Sequence, residues 1–389
     1  MILDQFPPID EFYARYWGKR PFIVKGAIAA HLFEGFIDGD GLAALSMEED
    51  VRARLITTKE NSGELEWACE HGPFSEEVFA HLGEENWSLL VQNVEQYHVE
   101  TAELLNCFSF APRWLVDDIM ISYSARGGSV GPHTDSYHVF LVQGIGKRQW
   151  KVGNAPAYKN DLAEDLEFRV FKDGFDGTEY TMEIGDVLYI PPHFAHEGTT
   201  LDTAMTFSVG FLGPKLSELF IEYGQFLEQL EEDANPRYSG DGLTPQSQNA
   251  ALSDTARHDI TNDMNAALSA PAFSEWLAHY FSSPTHCGVD DMDMDADAKA
   301  IDVDALINRL SSGATLKRNH YVRCVFVDGT HPSLSIYGRM IDIASVAPKA
   351  VRAILNADEI NQDDVNENDK DVINLLVDLY NHDAFAFDK

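Results

Sequence analysis

Two short runs carry the residues best suited to chemistry. Gly131-Pro132-His133-Thr134-Asp135 sets an imidazole and a carboxylate two positions apart. On an extended chain, residues i and i+2 project to the same side, so both groups converge on one point. The third ligand candidate is His196, within Gly185-Asp186-Val187-Leu188-Tyr189-Ile190-Pro191-Pro192-His193-Phe194-Ala195-His196-Glu197-Gly198. Two histidines and one carboxylate on one face of a metal leave three positions open, the donor set that suits iron(II) and oxygen chemistry. A bidentate oxoacid and dioxygen fit the open positions. His138 and His193 are weaker rivals, one on the wrong side of a strand relative to His133 and the other inside the Pro-Pro turn.

An oxoacid with a distal carboxylate needs a cation. Arg148 or Lys147, after the turn Gly144-Ile145-Gly146, can supply it. Arg148 shares a strand face with Trp150, Lys147 points the other way, and a guanidinium fork matches a carboxylate. Asp118, Met120, Ser122 and Ser124 share one face of another strand. Either that face lines a polar pocket, or it looks outward while Ile119, Ile121 and Tyr123 form the core. The residues alone leave both readings open.

These groups are held by a series of short predicted strands over residues 20–212: 21–25, 87–94, 118–124, 139–143, 149–152, 187–190 and 205–211. Short strands punctuated by Gly and Pro imply a sandwich or barrel. Helical patches are expected at 41–50 and 75–82. After Gly213-Pro214 the period changes. Leu216, Leu219, Phe220, Tyr223, Phe226, Leu227 and Leu230 mark one helical face, and a second helical stretch contains Ile260, Met264, Leu268, Phe273, Leu277 and Phe281. Beyond the acidic run Asp290–Asp297, which lacks the glycine and closing glutamate of a calcium loop, residues 301–389 read as a small α+β unit of winged-helix order. The expected domains are 1–212 (catalytic), 213–289 (helical) and 298–389 (winged-helix-like).

The chain has 389 residues, 44% of them hydrophobic, and a formal net charge of -36 from 64 acidic and 28 basic residues. Such acidity argues against binding nucleic acid or an anionic membrane, and it permits a basic partner. Cys69, Cys107, Cys287 and Cys324 form no CxxC pair and are widely spaced, unlike a disulfide scaffold or zinc site. The N-terminal residues lack a basic region followed by an apolar run, so no signal peptide is read. A cytoplasmic location is the expectation.

The runs 118–124, 127–135, 139–144, 146–150 and 185–198, with the opening Trp17-Gly18-Lys19-Arg20-Pro21, resemble the bacterial JmjC-type ribosomal oxygenases. The resemblance implies a mainly β double-stranded β-helix (cupin/JmjC barrel), an α-helical dimerisation region and a C-terminal winged-helix α+β domain. It implies iron(II) on His133, Asp135 and His196, with 2-oxoglutarate and dioxygen as cosubstrates. The distal carboxylate falls to Arg148, with Ser122 and Ser124 beside it. The family reaction is hydroxylation of an arginine at C-3 in a basic large-subunit ribosomal protein, and Asp118, Met120 and Ser208 are the substrate-contact candidates. It also favours the inward reading of the Asp118–Ser124 face. A JmjC lysine demethylase, distinguished by formaldehyde release, and a metal-free cupin-like assembly protein are the rivals.

Overall fold

In the computed structural model the described residues are 1–61, 64–157, 171, 174–245, 250–283, 300–319, 322–366 and 368–387. The acidic run Asp290–Asp297, with Cys287 and Tyr321, lies outside them. Two compact units divide the chain, Met1–Gly213 and Pro214–Lys389.

The first unit has twelve strands among the described residues: β1 (Ile2–Leu3), β2 (Phe22–Val24), β3 (Ala53–Asn61), β4 (Glu64–His71), β5 (Trp87–Val91), β6 (Val116–Ser124), β7 (His138–Ile145), β8 (Arg148–Pro156), β9 (Gly177–Met182), β10 (Val187–Ile190), β11 (Phe194–Thr200) and β12 (Ala204–Phe211). Nine form one sheet in the order β1-β2-β10-β7-β12-β6-β5-β3-β4, and the others form a small sheet, β11-β8-β9. This is the expected JmjC barrel architecture.

Alternation decides what each strand residue does, because successive side chains point to opposite faces. On β7, Phe140 and Val142 enter one buried cluster while Val139 and Leu141 enter another. On β10, Val187 and Tyr189 split from Leu188 and Ile190 in the same way. The central strands of the large sheet are thus buried on both sides and read as nearly continuous apolar runs. On β6, Ile119 and Ile121 join the aromatic cluster around Phe12, Phe140 and Phe207, whereas Met120 and Ser122 turn towards a cavity. Neither face of β6 is left to solvent along this stretch, so the outward alternative does not hold for Met120 and Ser122.

The strand at 87–94 ends at Val91, and a short helix, Val94–Tyr97, begins after Asn93 adopts a left-handed φ of 56°. The β3–β4 hairpin and β9 were not expected from the sequence.

Gly185-Asp186 organises the approach to β10. The Asp186 carboxylate accepts hydrogen bonds from the backbone N–H of Gly26 and of Glu183, each at 2.8 Å, and meets Lys25 Nζ at 2.6 Å. Gly185 has a φ of +87°, and a Cβ there would lie 2.3 Å from the Ile28 carbonyl oxygen.

In the second unit the helix Leu216–Leu227 packs through Leu219, Tyr223, Phe226 and Leu227 against the helix Pro271–Ser282. The stretch from Ile260 to Phe281 is two helices, Asp254–Ala267 and Pro271–Ser282. Pro271 cannot donate a backbone hydrogen bond, and it starts the second helix at a first-turn position where none is needed. The helix Pro271–Ser282 also bonds to a sheet of Cys324–Val327, Ser333–Ile336 and Arg339–Ile341: Ser282 Oγ lies 2.8 Å from Ser335 Oγ, and His279 Nδ1 lies 2.7 Å from the Gly338 carbonyl. The helices Val303–Ser311, Pro348–Asn356 and Lys370–Asn381 complete the winged-helix core through Leu306, Leu310, Val351, Ile354, Leu376 and Leu379.

Gly185→Ala combines backbone strain with a clash against a carbonyl and is expected to cost about 1–3 kcal/mol. Thermal unfolding followed by circular dichroism should show a lowered midpoint; an unchanged midpoint would contradict this account of the turn.

Candidate active site

His133 and His196 are brought together by the backbone. Each donates its N–H to the other's carbonyl, at 3.0 and 2.9 Å, forming an isolated antiparallel bridge. The His193 N–H donates to the Asp135 carbonyl at 2.7 Å, which ties the two motifs together again. As a result His196 Nε2 lies 3.3 Å and His133 Nε2 3.9 Å from Asp135 Oδ2. The three ligand atoms fall within 4.8 Å of one another, the one such cluster found among the described residues.

The second ring nitrogens are committed elsewhere. His133 Nδ1 is 2.9 Å from the Gly131 carbonyl, and His196 Nδ1 is 3.0 Å from the Phe194 carbonyl. A proton held on each Nδ1 leaves each Nε2 lone pair free, the state a metal-binding imidazole requires. Gly131 helps by adopting a φ of +77°. Burial, reinforced by His196, pushes the His133 pKa down to about 4, so its ring is neutral near pH 7. Burial would raise Asp135, but His133, His196 and Tyr137 together hold its carboxyl below the ordinary value. The donor set is two imidazoles and one carboxylate, chemistry that fits iron(II).

The triad opens onto a cavity of about 260 Å³ between the two sheets. Arg148 lines it and is 3% exposed. Its Nη1 donates to Ser122 Oγ at 2.9 Å and Thr206 Oγ1 at 3.4 Å, and Thr206 passes its own proton to Gln143 Oε1 at 3.2 Å. Buried Nε has no partner, and among the described residues no carboxylate pairs with the guanidinium. Burial lowers its pKa to about 10, so it remains charged at neutral pH. A buried cation held only by hydroxyls is costly unless an anion joins it. The cavity thus pairs a metal-binding face with an anion-binding end, as a 2-oxoacid carrying a distal carboxylate requires.

Met120, Ser122 and Ser208 line the same cavity. Ser124 does not: one further step along β6 places it opposite Ser88, to whose Oγ it donates at 2.8 Å. Asp118 also falls outside the lining. It sits at the start of β6 with its carboxylate 3.4 Å from the Asn93 nitrogen, close enough to help raise the Tyr137 phenol. Lys147 pairs at the surface with Glu183 at 2.6 Å. His138 stacks on Trp17 at 3.7 Å and meets the Tyr189 hydroxyl at 2.8 Å, outside the cluster.

Sequence reasoning missed Arg54 and Ile56 on β3, Leu90 on β5, and Tyr137. Tyr137 continues the i, i+2 series from His133 and Asp135 and was legible on that ground; β3 and β5 offered no comparable signal.

Replacing Asp135 by Ala removes the only carboxylate of the triad. Titration with iron(II) under anaerobic conditions should show metal affinity falling by at least about tenfold; unchanged affinity would place the metal elsewhere.

A JmjC domain model matches residues 103–219, and a ROXA-like winged-helix model matches residues 265–386. The ribosomal protein uL16 3-hydroxylase of Escherichia coli (strain K12) is 36% identical over 313 residues, covering 79% of this chain and 79% of that protein. The X-ray structure of E. coli ycfD superposes with a TM-score of 0.79 at 31% identity, covering 98% of both chains. A structure of YcfD, a ribosomal oxygenase from E. coli, in complex with cobalt and 2-oxoglutarate gives a TM-score of 0.76 at 31% identity over 98% of both chains. Taken with the His-Asp-His cluster, these similarities establish that the chain belongs to the JmjC ribosomal oxygenases, a family of 2-oxoglutarate-dependent enzymes.

Proposed function

We propose that this enzyme hydroxylates an arginine side chain at C-3 in a basic large-subunit ribosomal protein, with His133, Asp135 and His196 holding iron(II) and Arg148 holding the distal carboxylate of 2-oxoglutarate. The observation that carries the cofactor assignment is Arg148, a buried guanidinium without a carboxylate, in the same cavity as the triad. The uL16 3-hydroxylase similarity supports the ribosomal substrate and the hydroxylated position. Two carboxylates near Tyr137, Asp117 and Asp118, favour a cationic side chain at that end of the cavity. The overall charge of -36 favours encounter with a basic protein. Action on such a protein fits a cytoplasmic setting, and among the described residues no helix is long and apolar enough to cross a membrane.

Bound iron(II) supplies the activation of dioxygen, and hydroxylation is coupled to conversion of 2-oxoglutarate into succinate and carbon dioxide. The chain supplies placement. Carbonyls at Gly131 and Phe194 fix the imidazoles, and the Ser122-Thr206-Gln143 network fixes Arg148. Val139, Leu141, Ile56 and Leu90 line the cavity with apolar surface that excludes water. Ser208 on the lining accepts from the entering guanidinium, and Asp118, outside the lining but acting on Tyr137, adds negative charge at that end; transfer of the cation out of water is otherwise unfavourable by several kcal/mol.

We further propose that the second unit joins two copies of the chain. Leu216, Phe220 and Ile221 remain exposed on the helix Leu216–Leu227, and Met264 is 52% exposed on the neighbouring helix in sequence. Light scattering at micromolar concentration should give the dimer mass; a monomer would refute this.

The functional test uses recombinant enzyme and an arginine peptide, with hydroxylation read by mass spectrometry. Arg148→Ala should raise the KM for 2-oxoglutarate by about tenfold or more, as expected for a lost charge-assisted pair. Asp118→Ala should abolish peptide hydroxylation while sparing cosubstrate binding. Normal hydroxylation by the Asp118 variant would make that residue structural, and formaldehyde release from methyl-lysine peptides would favour demethylation.

A further inference from the structure

Arg54 projects from β3 into the cavity and is half-buried. Its cross-strand neighbour is Leu90 on β5, whose neighbour in turn is Ser122 on β6. Ser122 holds Arg148. Adjacent strands lie about 4.8 Å apart, so Arg54 is rooted roughly 10 Å along the sheet from the hydroxyl that anchors the deep cation. Arg148 and the metal ligand His196 are linked instead along paired β8 and β11, where Arg148 faces Thr200 and Val152 faces His196. A dicarboxylate held between Arg148 and the metal has both its ends met without Arg54.

Among the described residues, no carboxylate, carbonyl or hydroxyl takes the Arg54 guanidinium. It lines the same cavity as Tyr137 and Asp135. A cation beside a pocket for a cationic side chain would repel its own substrate unless it had acceptors to meet. The side chains of a basic loop offer few. Main-chain carbonyls are offered by every polypeptide, and a guanidinium fork can take two of them.

We propose that Arg54 is a positioning residue that binds main-chain carbonyl oxygens of the substrate segment, holding the backbone at the β3 wall so that only the target side chain enters the cavity. This rests on the reading of the enzyme as a protein hydroxylase, and not on which residue is hydroxylated. The pairing sets how far a side chain reaches, and hence which carbon faces the metal.

The test uses holoenzyme with iron(II) and 2-oxoglutarate, and unfractionated large-subunit ribosomal protein as substrate, with hydroxylation mapped by mass spectrometry. Arg54→Ala should raise the apparent KM for protein about tenfold or more, the loss expected for a charged hydrogen bond. The KM for 2-oxoglutarate should stay within about twofold, because that ligand sits on Arg148. Succinate formed per hydroxyl installed should rise, and Arg54→Lys should restore part of the loss. Arg54→Met, which keeps the packed stem without donors, gives the same reading if the alanine variant does not fold. An unchanged protein KM overturns the proposal, as does a parallel rise in the 2-oxoglutarate KM, which would hand Arg54 to the cosubstrate. Hydroxylation found on lysine or histidine would sink the arginine assignment alone, leaving the Arg54 comparison to be read on that substrate. If no protein is hydroxylated, both fall.

Discussion

The central strands of the large sheet in the catalytic unit are buried on both faces, and this constraint shapes everything around them. Along the middle of β6, β7, β10 and β12, residues serve one of two interiors. The set on one side, from Ile119 and Ile121 to Phe207 and Phe211, is uniformly apolar and forms the larger core. The other set is apolar near β10 and becomes polar across β12 and β6, through Thr206, Ser208 and Ser122. Buried hydroxyls in strands need partners. Ser122 and Thr206 are organised around one guanidinium, so a local change of polarity on a single sheet face marks out the cavity.

The metal face is built by different means. Its three ligands sit on a loop and on β11, yet paired N–H groups between His133 and His196 hold the loop as if it were a strand. Asp186, some distance away in sequence, ties the turn before β10 to the chain at Gly26. The ligands are thus positioned by backbone bonds, which leaves their side chains free for the metal. A helical unit lies beyond this in sequence, with an interior of its own around Tyr223, Trp276 and Tyr280.

How much of this was legible depended on whether the signal was local. His133 and Asp135 could be read because two residues on one extended stretch share a side. His196 could be read because its motif is compact, with Gly185, Asp186 and the prolines marking the turns. Arg148 was separated from Lys147 by the same alternation. The β3–β4 hairpin was harder, because it mixes Arg54, Thr57, Thr58, Lys59, Glu66 and Glu70 with apolar residues, a composition that resembles surface loop. Arg54 enters the cavity only through sheet neighbours distant in sequence, which no spacing rule reveals. Ser124 shares a face with Ser122 but lies one step further along the strand, where it pairs with Ser88. The break at Pro271 was present in the chain and passed over because the apolar rhythm continues across it.

Arg148 has a consequence beyond catalysis. In the folded protein its charge is buried with only hydroxyl oxygens as hydrogen-bond acceptors and the Trp150 ring 5.2 Å away, whereas in the unfolded chain it is hydrated. The fold therefore carries a penalty that an anion in the cavity relieves. A ligand that binds only the native state adds stability as RT ln(1 + [L]/Kd), about 2.7 kcal/mol at a hundredfold excess over Kd. A cosubstrate held at Arg148 would in this sense be a structural component, and resistance to unfolding would rise with its concentration.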